Sequence, residues 1–159
     1  MFTKRAALAG IGASCLLGAS LATAQEVKAK GHVVYVPHST ENFKLEDGTP
    51  AMRMQSKGVV LATDPAISMH LSNQDCSGLY LMNANGTMKI ASGYCDAIDK
   101  DGHVWWIWWK GSAAGGDWGF IGGTGKFEGI KGGGTTKTER QAADGRLTIS
   151  WEGTWTTKK

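Results

Sequence analysis

No stretch after residue 24 is apolar enough for long enough to cross a membrane as a helix, and none carries the 3.6-residue periodicity of an amphipathic one. The spacings that usually announce chemistry are missing too. The histidines, His32, His38, His70 and His103, are scattered, with no His-x-x-x-His, no Cys-x-x-Cys and no carboxylate at ligand spacing, so no metal is expected. There is no Gly-x-Ser-x-Gly elbow. The run Asp99-Lys100-Asp101-Gly102 contains part of a calcium loop. Ala97 and Trp108 stand where that loop needs its first ligand and its bidentate glutamate, which leaves a turn. The glycines around Lys126 do not make a phosphate loop. Phe120 replaces the first glycine, and Phe127 replaces the hydroxyl residue that would hold magnesium. A dinucleotide fingerprint fails as well, at Glu128.

Charge is close to balance once the amino terminus is set aside. Lys4 and Arg5 precede an apolar run over residues 6–21, which Ala22-Thr23-Ala24 closes in the small-x-small pattern of an export signal cleaved after Ala24. The run is short for an anchor and is broken by Gly10, Gly12 and Gly18, and Gly12 stands where a lipoprotein motif at Cys15 would want leucine. Removing residues 1–24 lowers the basic count from 17 to 15 against 14 acidic residues. A charge of about +1 with no clustered Lys or Arg excludes a nucleic-acid footprint. Residues 25–159 then make one domain, exported to the periplasm or beyond, with two cysteines, Cys76 and Cys95, expected to form a disulfide.

What fills that domain is short runs of Val, Ile, Tyr, Thr and Trp between Gly, Asn and Asp turns, the pattern of an all-β fold. The first strand is expected at 30–36, stopped by Pro37, followed by a polar loop to residue 50. A second strand is expected at 51–63, bulged at Gly58, and a third at 66–71 after the Asp64-Pro65 turn. Asn85-Gly86 predicts a two-residue hairpin turn, and pairing Ala84 with Thr87 brings Cys76 opposite Cys95 as a hydrogen-bonded pair. That register places Leu79, Leu81, Met88, Ile90 and Tyr94 on one face, read as buried. In the run 104–109, Trp105, Ile107 and Trp109 point one way and Trp106 and Trp108 the other, so both faces are apolar. One set lines the interior, and the other must pack on a loop, a neighbouring subunit or a ligand.

Asp144-Gly145 predicts the last hairpin, with Ala143 opposite Arg146 and Lys137 opposite Glu152. Arg140 then shares the apolar face with Thr138, Ile149 and Trp151, where a guanidinium needs an anion, a ligand oxygen or a route to water. Arg140, Trp151, Tyr94 and Thr138 are therefore the expected ligand contacts.

The stretch Gly122, Gly123, Thr124, Gly125, Lys126, Phe127, followed by Gly129, resembles the motif region of the allene oxide cyclase and dirigent barrel superfamily. The resemblance is strongest over 122–156. It implies an eight-stranded antiparallel β-barrel with an apolar cavity, no cofactor and assembly as a homotrimer, the motif itself being structural and leading into a late strand. The cyclases of that superfamily rearrange an unsaturated fatty-acid epoxide, and its dirigent members steer phenoxy-radical coupling. Gly153-Thr154-Trp155 on the last strand also resembles a lipocalin or avidin-like barrel, again a cup for one small ligand. Three functions fit: a cofactor-free isomerase or cyclase, a non-catalytic binder of a small apolar or amphipathic molecule, and an envelope interaction protein. An acid or base deep in the cavity favours the first, an aromatic cup without such a group the second, and an interior filled by its own side chains the third.

Overall fold

The computed structural model describes residues 25–157, so the expected export signal over residues 1–24 lies outside the described residues. Eight strands follow one another: β1 (Gln25–Lys44), β2 (Pro50–Ala62), β3 (Asn73–Met82), β4 (Met88–Ile98), β5 (Val104–Ser112), β6 (Gly115–Gly123), β7 (Lys131–Gln141) and β8 (Leu147–Thr157). Each is antiparallel to its neighbour, and β8 returns to β1, closing an eight-stranded barrel. Closure satisfies every strand edge, which is how this architecture avoids exposed ladder groups. Among the described residues no helix is long and apolar enough to cross a membrane.

Four hairpins share one turn. The backbone N–H groups of Leu45, Asn83, Asp99 and Ala142 donate to the carbonyls of Thr49, Thr87, His103 and Arg146, each spanning three residues that end in a glycine at φ near +80°. These are type I turns closed by a left-handed glycine, one residue longer than the two-residue turns expected from Asn85-Gly86 and Asp144-Gly145. In the β3–β4 hairpin a bulge at Lys89 cancels the slip, and Cys76 meets Cys95 as predicted. Their Cα atoms are 4.1 Å apart, the narrow non-hydrogen-bonded spacing rather than the wide one expected. In the β7–β8 hairpin a bulge at Glu139 adds to the slip, so Lys137 faces Ser150 and Glu152 faces Thr135.

Other expectations yield to the barrel. β1 continues through Pro37 to Lys44 because a bulge at His38 absorbs the missing ladder donor. Gly58 is not bulged and pairs regularly with both neighbours. Residues 66–71 form turns, not a strand, with Asp64 Oδ1 accepting from Ala66 N at 2.9 Å and Met69 tucked inward. Of the face expected to be buried, Leu79 and Tyr94 are outside, with Tyr94 66% exposed, because Gly78, Tyr80 and Cys95 take the inner face, whereas Met88, beyond the Lys89 bulge, does face inward.

The end of the barrel where β1 begins and β8 ends is closed by a plug. The glycine motif does not run straight into β7. Gly122 and Gly123 end β6, a 3₁₀ turn spans Gly125–Phe127, and Phe127 is fully buried beside Ile130. Thr124 Oγ1 accepts from Val104 N at 2.9 Å, and Lys126 Nζ lies 2.6 Å from Asp99 and 3.1 Å from Asp101. Asp99 Oδ1 also accepts from the N–H groups of Asp101 and His103. Burial pushes the Asp99 carboxyl up, but Lys126 and those two N–H groups outweigh it and hold it below its ordinary value. Lys126 thus ties the plug to the β4–β5 turn. Replacing Lys126 with Met is expected to cost about 1–2 kcal/mol at neutral pH, the worth of a half-exposed charged hydrogen bond. A carboxyl depressed in the folded state stabilises above its unfolded pKa and loses that contribution as pH falls through its folded value. The deficit of the variant, measured by urea unfolding, should therefore shrink below the ordinary carboxylate range; a deficit constant with pH would remove the ion pair from the account.

Candidate functional site

Inside the barrel, large aromatic rings lie across glycines of the next strand. The register sets Trp109, Gly93 and Gly78 in one row over β5, β4 and β3, and a Cβ added to Gly78 would fall 2.4 Å from the Trp109 ring. Trp118, Gly134 and Gly153 make a second row over β6, β7 and β8, with the ring 2.5 Å from the position of a Gly153 Cβ. A third runs over β1, β2 and β3, where Tyr35 crosses Gly58 and donates its hydroxyl hydrogen to Gln74 Oε1 at 2.6 Å. Flat rings thicken the wall without filling the interior.

A cavity of about 670 Å³ remains. Val33, Val60, Met69 and Trp105 border it at the plugged end, and Trp109, Trp118 and Trp151 form one wall. Trp118 and Trp151 meet edge to face at 86° with centroids 6.4 Å apart, and Trp109 packs tilted against Tyr80. The opposite wall is methionine: Met52 and Met54 from β2, Met82 from β3 and Met88 from β4. Thioether side chains are adaptable and pack well on aromatic faces. Gly86, Thr87, Ala113, Asp144 and Gly145, from three hairpin turns, border the other end.

Among the described lining residues the charged ones, Lys110, Asp117 and Asp144, are exposed and belong to that turn-bearing end. Deeper in, the titratable groups are two tyrosines. Burial, with Tyr80 adding to it, holds the Tyr35 hydroxyl well above its ordinary value, and burial pushes Tyr80 up to about 12. Both are neutral at physiological pH, and both are hydrogen-bonding groups rather than bases. Asp99, Asp101 and His103 lie within ligand distance of one another at the plugged end, but Lys126 is seated on both carboxylates.

Of the four expected contacts, Trp151 and Thr138 line the cavity and Arg140 and Tyr94 do not. The bulge at Glu139 reverses the alternation beyond Thr138, so Arg140 turns out to solvent and Gln141, itself exposed, borders the cavity at its turn-bearing rim. Tyr94 stands on the outer surface with Trp106, Trp108 and Ile121. Tyr35, Gln74 and the methionines were absent from the expected set. Their signal is indirect: an inward-facing Cys76, paired with the buried Cys95, fixes Gln74 and Tyr80 on the same inner face, and Met52 and Met54 repeat at the two-residue period.

No family model and no curated protein sequence matches the chain. Solved structures do. One pterocarpan synthase dirigent protein superposes with a TM-score of 0.55 at 15% identity, covering 85% of this chain and 97% of its own. A second gives 0.57 at 13% identity, covering 96% of this chain and 98% of its own. At such identities the likeness is one of architecture, and it extends over nearly the full length of both partners: this chain folds as a dirigent-type eight-stranded β-barrel.

Proposed function

We propose that the protein is an exported, non-catalytic binder of one small, largely apolar molecule, held without a cofactor inside the barrel. The observation that carries this is the cavity: about 670 Å³, walled by tryptophan and methionine, with no charged side chain among its deeper described residues. Its size falls within the usual range for small-molecule pockets of roughly 300–1,000 Å³. An aromatic cup without an acid or base favours binding over the cyclase-type chemistry that the sequence resemblance implies, since Tyr35 and Tyr80 stay protonated. The Cys76–Cys95 disulfide and the signal-like residues 1–24 support an oxidising compartment, periplasmic or extracellular.

A neutral fluorescent apolar probe, N-phenyl-1-naphthylamine, is expected to bind the mature protein with one-to-one saturation. Replacing Thr138 with Trp, which extends a lining side chain into the space, should weaken that binding about tenfold with little change in melting temperature. Saturable binding unaffected by the Trp would place the probe elsewhere and defeat the reading.

The outer surface supports an accompanying reading, a homo-oligomer. Tyr94 and Trp108 are cross-strand partners on β4 and β5, both exposed, and Trp106 and the bulged Ile121 extend the same apolar face. Contiguous apolar surface of this kind commonly marks an interface. Multi-angle light scattering of the mature protein is expected to give an oligomer, a trimer if the sequence resemblance holds, and Trp108→Glu with Ile121→Glu should give a monomer. A monomeric wild type would end this reading.

A further inference from the structure

We propose that Gln74, oriented by Tyr35, is the polar anchor of the cavity and selects ligands that carry a neutral acceptor oxygen, such as a ketone or quinone carbonyl, over hydrocarbons and over carboxylates. This rests on the cavity reading above and adds the chemical class of the ligand.

Gln74 is 3% exposed and borders the cavity near the plugged end, two residues into β3. A carboxamide offers one acceptor oxygen and two N–H donors. The oxygen is occupied by the Tyr35 hydroxyl at 2.6 Å. The Nε2 group has no hydrogen-bond partner among the described residues, so its donors are available to whatever occupies the cavity. A ligand oxygen placed against that donor gains a hydrogen bond inside an apolar wall, where such a bond is worth more than in water.

The orientation of the amide is fixed by its neighbours. The Tyr35 ring lies over Gly58, where an added Cβ would stand 2.6 Å from Cδ1 and 2.8 Å from Cε1, so the ring has one flat path to Gln74. The hydroxyl oxygen is 3.5 Å from Cys76 Sγ, a disulfide sulfur with no proton to give, so the hydroxyl gives its own proton to Oε1. With Tyr35 held protonated by burial, that donation sets which end of the amide is free. Gly58 therefore acts through Tyr35, and Tyr35 through Gln74; both are positioning residues.

Charge excludes the alternatives. The one cationic side chain among the described lining residues, Lys110, belongs to the turn-bearing end and is exposed. A carboxylate carried down to Gln74 would lose its water and meet no counter-charge, and neutral N–H donors, Gln74 Nε2 with the unpaired indole groups of Trp105, Trp109 and Trp151 elsewhere on the lining, do not offset that loss. A carbonyl loses far less on desolvation and gains the bond. The ligand accordingly sits oxygen-first, its apolar body between the tryptophan and methionine walls.

Three compounds of one skeleton separate the possibilities: fluorene, 9-fluorenone and fluorene-9-carboxylate, measured by equilibrium dialysis against the mature protein. Fluorenone should bind about tenfold tighter than the other two, the equivalent of one hydrogen bond at about 1.4 kcal/mol. In Gln74→Leu that preference should vanish while fluorene binding is retained. Tyr35→Phe, which keeps the ring over Gly58 but frees the amide to turn, should reduce the preference about threefold. Equal binding of fluorene and fluorenone to the wild type, or tightest binding of the carboxylate, overturns the anchor and leaves the cavity reading standing. No binding of any of the three overturns both. Should Gln74→Leu fail to fold, the wild-type ratio and the Tyr35→Phe ratio decide the matter, an unchanged ratio in Tyr35→Phe counting against the role of Tyr35.

Discussion

The structure depends on the packing of a wide ring over a residue with no side chain. Trp109 over Gly93 and Gly78, Trp118 over Gly134 and Gly153, and Tyr35 over Gly58 are the same arrangement on three parts of the wall. In a small barrel, inward side chains of ordinary size meet at the axis and fill it. Rings laid flat along the wall bury their area against backbone instead, and the axis stays open. The glycines within the strands are in this way a condition for having a cavity. The rule applies outside as well, where Trp108 lies on Gly119.

The plug at the other end is a different solution, built from the glycine motif. Gly125 takes φ of 55°, and a Cβ there would collide with the His103 ring at 2.2 Å, so the turn is compact enough for Phe127 to enter the core. Lys126 and Thr124 then bind that turn to β5 and to the β4–β5 hairpin. From Gly123 to Phe127 each residue of the motif packs or bonds within the plug, and none of the six borders the cavity. The motif is thus a marker of architecture and is silent about the ligand.

The architecture was legible in the sequence because its signals are local. Period-two alternation sorted Trp105, Ile107 and Trp109 from Trp106 and Trp108 correctly, and glycine turns marked the hairpins. The cysteine pairing emerged from the right register by way of the wrong turn, since the extra turn residue and the Lys89 bulge cancel. The site was less legible because bulges decide it. Nothing in Lys137-Thr138-Glu139-Arg140-Gln141 distinguishes a bulged residue from a paired one; the bend is required by curvature that only the closed barrel imposes. One inserted residue turned Arg140, expected on the apolar face, out to water and left the exposed Gln141 at the cavity rim. The inner face of β3 and β4 was misread for a related reason: Leu79 and Tyr94 look like core residues until a glycine is recognised as the place where a neighbour's tryptophan lies.

Closure also distributes the chain's entropy unevenly. Seven of the eight strand pairings join consecutive elements, so their loops are short, and the Cys76–Cys95 link spans only 19 residues. The eighth, β1 on β8, unites Gln25 with Thr157 and Tyr35 with Leu147 across almost the whole described chain. Loop-closure cost rises with contour length, and contacts of high sequence separation are the slow ones to form. The curled sheet can therefore exist in outline before its seam does, with Tyr35 already laid over Gly58 by the β1–β2 pairing. An interior able to hold a guest is in that sense a property of the finished circle alone.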